Sequence, residues 1–259
     1  MVLDYIITSG ALALELLISF FLPFRCVRCG KEDVQLCMEC ADELIFTAPE
    51  CLYCGGTAHH GKTHPYCKQR AMHFDFFISC FRYHAVLKYI FREYKYHGER
   101  VLIRVIRQLL QEYAQYNPFL SFELFRNKNI LLIPVPMHRN KLRERGYSSS
   151  QSVAEILQKI LQQTEYCRAS VLHNIVVKVK QTKAQAQVKK FQRFTQQLGV
   201  FALQDGAQKV VSKLNVDLVV IVDDVVSTGA TAQSLLETLK KGLHWPSHTQ
   251  FVLFSLARS

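Results

Sequence analysis

The chain has 259 residues, of which 49% are hydrophobic and 20% charged, and its formal net charge is +11. This length is typical of one to two domains, and the composition excludes a largely disordered chain because it supplies enough apolar surface for a core. The excess of basic residues favours partners that bear phosphate, although basicity alone is weak evidence.

The N-terminal stretch 1–22 is apolar, but it opens with Asp4 instead of the basic residues that begin a secretion signal. At about 100° per residue its polar residues fall on one narrow stripe of a helix: Asp4, Thr8, Glu15 and Ser19. The pattern therefore predicts an amphipathic helix over residues 1–24 and not a membrane span. This helix packs against the body or a partner, or makes peripheral contact with a membrane surface.

Residues 25–73 contain six of the nine cysteines as three Cys-x-x-Cys pairs, followed by a single Cys67. Two residues between thiolates let a tight turn aim both sulfurs at one ion, and two such turns complete a tetrahedral zinc shell. The first two pairs therefore predict a structural zinc site at Cys26, Cys29, Cys37 and Cys40. Buried thiols without a metal are the alternative. Cysteines that bind metal indicate a reducing, cytoplasmic setting.

A second structural zinc site is predicted at Cys51, Cys54 and Cys67. The residue three positions after Cys67 is Arg70, which cannot bind a metal, so the fourth ligand must come from elsewhere. The histidines nearby are His59, His60, His64 and His73. In both sites every coordination position is filled by the protein, so we expect support for folding and no catalysis.

The remaining residues, 74–259, alternate predicted strands with predicted helices. Strands are predicted over residues 76–83, 129–134, 218–222 and 250–256, and helices up to about residue 116 and over 148–162 and 230–241. This alternation predicts an α/β domain with a mostly parallel sheet flanked by helices. The stretch 178–193 has six basic residues and no acidic ones, which is typical of a basic loop or hairpin.

The most informative segment is the buried strand 219–222, which leads into two acids and a run of small residues. Ligands of open α/β sheets lie beyond the carboxyl ends of the strands, and amides at a helix N-terminus bind phosphate. Two adjacent carboxylates do not bind phosphate, but they can accept hydrogen bonds from vicinal hydroxyls. The segment therefore predicts a site for a ribose 5-phosphate, formed by Asp223, Asp224, Ser227, Thr228, Gly229, Ala230 and Thr231.

Segment 219–231 resembles the phosphoribosyl pyrophosphate (PRPP) motif of type I phosphoribosyltransferases. Segment 133–147 resembles a loop of the ComF/GntX competence family. The order of parts resembles that family too, from the apolar helix and cysteine pairs to Lys-Tyr-His-Gly at 95–98 and the PRPP motif. The resemblance covers nearly the whole chain. It implies a type I phosphoribosyltransferase-like domain behind a zinc module, with PRPP bound together with Mg²⁺.

The sequence departs from the family pattern at three places. Arg70 replaces the fourth ligand of the second cluster, and residues 147–151 are Tyr-Ser-Ser-Ser-Gln where the family usually has Phe/Tyr-Asn-Gln. Residues 182–185 keep a Thr-x-x-Gln element, but its Arg- and Asn-rich continuation is blurred. These departures affect the predicted second metal site and the closure of the loop that contains residues 182–185. They leave the PRPP motif intact.

Basic residues follow the strand that ends at Pro134, beyond the sheet where a diphosphate would lie. They are candidates for contact with pyrophosphate or with a DNA backbone: Arg139, Lys141, Arg143, Arg145 and, from the basic stretch, Lys183. A solvated basic loop without a ligand is the alternative.

The family resemblance implies a competence protein that acts in DNA uptake during natural transformation. It implies cooperation with a DNA-translocating helicase at the inner face of the membrane, and binding of PRPP and single-stranded DNA. Aromatic residues that interleave with Lys88, Arg92, Lys95 and Arg100 would suit base stacking unless they face the core: Tyr83, Tyr89, Phe91, Tyr94 and Tyr96. Two alternatives stay open, an active phosphoribosyltransferase with an unknown acceptor and a PRPP-sensing regulator without turnover.

Overall fold

The computed structural model describes residues 25–32, 34, 36–69, 73–97, 101–116, 124–163, 168–180 and 199–259. The predicted helix over 1–24 lies outside these residues, as do Arg70 and Lys183. Among the described residues, no helix combines the length and the apolar character that crossing a membrane requires.

A five-stranded sheet forms the centre of the domain, with the strand order β1-β7-β6-β2-β3. Every neighbouring pair in this sheet is parallel. Its strands are β1 (Phe76–Arg82), β2 (Asn129–Pro134), β3 (Arg168–Val171), β6 (Leu218–Val226) and β7 (Gln250–Arg258). Beside it lies an antiparallel pair formed by β4 (Val176–Lys178) and β5 (Phe201–Leu203). The predicted mostly parallel sheet is confirmed.

Helices flank the sheet. In chain order, the helices of the described residues are α1 (Met38–Ala41), α2 (Ala85–His97), α3 (Val101–Tyr116), α4 (Arg139–Arg145), α5 (Ser149–Gln162), α6 (Ala207–Val211) and α7 (Ala230–Gly242). Successive residues of a strand point to opposite faces. Val220 and Val222 accordingly pack with α2, α3 and α5, whereas Val219 and Ile221 pack with α6 and α7. This double cover explains why the central strand is an unbroken apolar run.

Strand β6 is longer than the sequence predicts. The prediction ends it at residue 222, whereas the strand continues to Val226 because β7 is equally long and pairs with it throughout. Asp223 lies opposite Ser255, and Val226 lies opposite Arg258. Both acids therefore lie among the last four residues of the strand, and the predicted end at residue 222 is too early.

The cysteine-rich segment covers the outer edge of β1. Phe46 forms an isolated bridge with Phe81, and the Thr47 amide donates to the Cys80 carbonyl oxygen at 3.0 Å. Further along, two short 3₁₀ turns, His59–Gly61 and Pro65–Gln69, lie near the start of the same strand. An open strand edge invites pairing with another chain, so this segment protects the sheet.

Candidate ligand cleft and metal clusters

A cleft of about 220 Å³ opens at the carboxyl ends of β2 and β6. Its charged lining comes from two acids of β6 and from three cations of α4 and β4: Asp223, Asp224, Lys141, Arg145 and Lys178. Thr231, from the first turn of α7, completes the side that faces the PRPP-like motif. Cations beside a pair of acids suit a ligand that has both anionic groups and hydroxyls.

The start of α5 holds the two acids in place. The Ser149 hydroxyl donates to Asp224 Oδ2 at 2.6 Å, and the Ser150 hydroxyl donates to Asp223 Oδ1 at 3.0 Å. Both serines are buried, and the partial positive charge at a helix N-terminus favours carboxylates. In the sequence, these serines differ from the family pattern but do not belong to the predicted site. The feature of the sequence that could have identified them is a cluster of serines at the start of an amphipathic helix.

The helical period of α4 divides its basic residues between two surfaces. Lys141 and Arg145 are four residues apart, so they share a face and both line the cleft. Arg139 lines an adjoining cavity instead, and Arg143 is exposed. Of the four predicted contacts in this helix, the structure therefore brings two into the cleft, while Lys183 lies outside the described residues.

Lys178, at the end of β4, lines the cleft but is not among the predicted site residues. Burial disfavours its charged form and lowers the pKa of its ammonium group, an effect that Asp223 opposes and Lys141 reinforces. Its Nζ also lies 5.7 Å from the centre of the Phe201 ring. The basic stretch 178–193 was the right signal, but charge alone does not show which lysine faces the cleft.

Replacing Lys178 by methionine should weaken binding of inorganic pyrophosphate about tenfold, because a hydrogen bond to a charged group contributes about 1.5–3 kcal/mol. Since the pKa of Lys178 is lowered, wild-type affinity should also fall as the pH rises through that pKa and the ammonium loses its proton. Titration calorimetry over a pH series measures both effects. Lys180→Met is the matched control, because Lys180 is exposed two residues further on, and an equal loss there would contradict the assignment.

The loop before α7 turns at Gly229, which caps the helix with a φ of 73°. This left-handed conformation favours glycine, and the Gly229 carbonyl oxygen accepts from the Gln233 amide at 2.8 Å. The Ala230 amide lies 3.4 Å from Thr228 Oγ1, and Ser227 and Thr228 are half-buried.

A second cavity of about 260 Å³ adjoins the cleft and shares part of its wall, including Val135, Met137 and Lys178. Its floor is apolar, with Ile133 and Leu172 among the residues that line it. Among the described residues, its polar lining contains no acid and includes Arg139, Gln151, Asn174 and Gln204.

The first cysteine cluster brings together the four residues predicted for it. The sulfurs of Cys26, Cys29, Cys37 and Cys40 all lie within 4.8 Å of one another, with Cys29 and Cys37 at 3.6 Å. Sulfurs around a tetrahedral zinc with bonds of about 2.3 Å are about 3.8 Å apart, so the spacing fits a metal. Burial opposes ionisation of Cys26, but hydrogen bonds led by the Cys37 amide lower its pKa to about 6.

The second cluster consists of Cys51, Cys54, Cys67 and His64, whose ligand atoms again lie within 4.8 Å of one another. His64 Nδ1 lies 3.3 Å from Cys54 Sγ, while Nε2 lies 3.0 Å from the carbonyl oxygen of Thr57. Donation from the second ring nitrogen to a backbone carbonyl is how metal-binding histidines are usually oriented. Of the four histidines left open by the sequence, the structure brings His64 into the cluster.

Cys54 has the ionisation expected of a metal ligand. The Tyr66 hydroxyl, 3.3 Å from Cys54 Sγ, together with the Gly56 amide lowers the pKa of this thiol to about 6. A thiol must lose its proton to bind a metal, so this environment favours coordination by Cys54, whereas burial raises the pKa of the Cys67 thiol to about 11.

The interleaved aromatic and basic residues do not form one exposed surface. Phe91 is fully buried, because α2 turns its apolar side towards the sheet, and Tyr83 packs against the same core. For Phe91 the structure therefore favours the alternative that the ring faces the core, and this residue cannot stack on a base. The guanidinium groups of Arg28 and Arg92 both lie over the Tyr89 ring, each 5.4 Å from the ring centre. The side chains of 94–96 and residue 100 lie outside the described part.

No protein-family model matches the chain. The chain is similar to Competence protein F of Haemophilus influenzae, with 25% identity over 231 residues. The alignment covers 85% of this chain and 93% of that relative. Since this similarity extends over most of both chains, it confirms the resemblance to the ComF/GntX competence family.

Proposed function

We propose that this protein has a competence-related role, in which it binds PRPP with Mg²⁺ and single-stranded DNA during DNA uptake in natural transformation. The similarity to Competence protein F supports the competence-related role. Binding of PRPP is supported by one observation above all. The paired acids and the cations of α4 and β4 line one cleft at the carboxyl end of the central strand.

Different residues of the cleft bind different groups of PRPP. Asp223 and Asp224 accept hydrogen bonds from the ribose hydroxyls, and the loop 227–231 with Thr231 binds the 5-phosphate through helix N-terminal amides. Lys141, Arg145 and Lys178 neutralise the diphosphate. Mg²⁺ prefers oxygen ligands, which the diphosphate and the two carboxylates supply, and it would offset the negative charge of the leaving group.

We propose that both cysteine clusters hold structural zinc. Four thiolates, or three thiolates with one neutral imidazole, are donor sets that zinc prefers, and the close spacing of the ligand atoms fits a tetrahedral shell. Because all four ligands come from the protein, the metal stabilises the fold and leaves no open position for substrate.

Calorimetric titration with Mg-PRPP, repeated in the presence of a single-stranded oligonucleotide, tests the proposal. We expect saturable binding of PRPP, and a change in PRPP affinity with the oligonucleotide would reveal coupling between the two sites. Absence of PRPP binding by the folded, metal-loaded protein would refute the ligand assignment. Ribose 5-phosphate and inorganic pyrophosphate, titrated separately, show which half of the cleft binds.

Single-stranded DNA binding is supported by the net charge of +11 and by the exposed Arg139 and Arg143 of α4. Phosphate contacts release counterions, so the affinity should fall steeply between low and moderate salt. Fluorescence anisotropy of a labelled oligonucleotide measures this slope. An affinity that stays flat over the same range would contradict DNA binding. Cooperation with a DNA-translocating helicase at the membrane rests on the family resemblance alone.

A transferase is the second candidate, and the cavity that adjoins the cleft favours it. A second substrate bound there would share the wall formed by Val135, Met137 and Lys178 with the first. Phosphoribosyl transfer needs no covalent nucleophile, because the protein orients the ribose and stabilises the departing pyrophosphate. Release of pyrophosphate from PRPP across a panel of acceptors tests this activity. If PRPP binds and no acceptor supports release, a PRPP-sensing role is favoured.

A further inference from the structure

We infer that the turn between Cys51 and Cys54 positions the loop 227–231, which we call the ligand loop, so that the second metal cluster controls ligand affinity from behind the cleft. We call residues 51–54 the second knuckle. The inference rests on the proposed function for the identity of the ligand, but the contacts that support it involve only the protein.

Leu52, the first residue between the two thiols, packs directly behind the ligand loop. It is 5% exposed and belongs to the core that covers the α7 face of the sheet. A Cβ atom added to Gly229 would lie 2.9 Å from Leu52 Cδ1. The two residues are therefore in close contact, and a displaced Leu52 would remove the support on which the turn at Gly229 rests.

Tyr53, the next residue, connects the second knuckle to α7 by hydrogen bonds. Its hydroxyl donates to Gln233 Oε1 at 3.0 Å and accepts from the Phe74 amide at 2.8 Å. The backbone amide of Gln233 in turn donates to the Gly229 carbonyl oxygen. Two consecutive side chains thus contact the loop and the first turn of the helix that follows it.

The metal ligands lie on either side of these two residues. Cys51 and Cys54 enclose Leu52 and Tyr53, so a metal bound to both sulfurs fixes the second knuckle at each end. Without the metal, backbone hydrogen bonds close the turn: the Gly55 amide donates to the Cys51 carbonyl oxygen, and the Cys51 amide donates to the Gly56 carbonyl oxygen. Metal binding therefore restricts the residues that hold the ligand loop.

The first cluster provides an internal comparison, because its corresponding turn contacts another part of the domain. Between Cys26 and Cys29, Val27 packs with the core on the α2 face, and Arg28 lies over the Tyr89 ring. Loss of a ligand there should affect the fold on that face, and leave the support of Gly229 unchanged.

The experiment compares Cys54→Ser with Cys29→Ser, since both thiols are exposed and each is the last residue of its pair. We expect each variant to lose one equivalent of zinc by mass spectrometry. Only Cys54→Ser should weaken PRPP binding, by about tenfold or more in calorimetry. Equal affinities for the two variants would overturn the inference. His64→Cys should retain both zinc and affinity, whereas His64→Ala should lose both.

Two further measurements keep the inference testable if Cys54→Ser does not fold or PRPP does not bind. Leu52→Ala leaves all four ligands in place, so it should keep its zinc and still lose affinity. Hydrogen exchange needs no ligand. Amides 227–233 should exchange at least tenfold faster in Leu52→Ala than in the wild type, while amides of α2 stay unchanged. Unchanged exchange at 227–233 would refute the inference, whereas a wild type that fails to bind PRPP would refute only the proposed function.

Discussion

Replacing both Asp223 and Asp224 by asparagine should weaken binding of Mg-PRPP at least about a hundredfold while the domain stays folded. A hydrogen bond to a charged group contributes about 1.5–3 kcal/mol, and 1.4 kcal/mol corresponds to a factor of ten in affinity. Loss of two such contacts to the ribose hydroxyls therefore exceeds a factor of a hundred. Titration calorimetry measures the affinity, and circular dichroism checks the fold.

The fold should survive because asparagine can keep these hydrogen bonds. At position 223 its amide oxygen still accepts from Ser150, and at position 224 it accepts from the Val225 amide while its NH₂ group donates to the Ser149 hydroxyl oxygen. Asp217→Asn is the matched control. Asp217 precedes the other end of β6 and accepts from the Asn129 amide at 2.8 Å, so the same change of charge occurs far from the cleft. Unchanged PRPP affinity in a folded Asp223→Asn/Asp224→Asn variant would place the sugar elsewhere.

The strands of the sheet could be predicted from the sequence where a short apolar run has clear ends. The predicted strand 129–134 has the same first and last residues as the observed strand, because polar and turn-forming residues lie on both sides of the apolar run. The end of β6 could not be predicted, since its last four residues are held in the strand by pairing with β7. Local sequence does not contain that information.

In the cleft, too, some residues could be predicted from a local pattern, whereas others are brought there only by the fold. Paired acids before a small-residue loop are a local pattern, and the structure places both acids in the cleft. Ser149, Ser150 and Lys178 reach it from distant parts of the chain, so only the topology brings them there. Spacing likewise restricted the fourth ligand of the second cluster to four histidines, but the turn that directs His64 inwards is tertiary structure.

Gly61→Ala should be among the most destabilising single substitutions in the cysteine-rich segment. Gly61 has a φ of 71°, in the left-handed region, which costs an L-residue about 1–2 kcal/mol. An added Cβ would also overlap the carbonyl oxygen of Phe77 in β1, and forcing atoms into a packed site costs about 1–3 kcal/mol more. Because Phe77 belongs to the sheet, its backbone cannot easily move away.

The variant Gly206→Ala separates the cost of the backbone conformation from the cost of the steric overlap. Gly206 has a similar φ of 80°, but a Cβ there meets nothing within 4 Å, so this variant bears the cost of backbone conformation alone. Urea denaturation should show a loss of about 1–2 kcal/mol in the free energy of unfolding for Gly206→Ala. Gly61→Ala should exceed it by the cost of overlap. Equal losses would mean that the cysteine-rich segment can move away from β1, and that the edge of the sheet is only loosely covered.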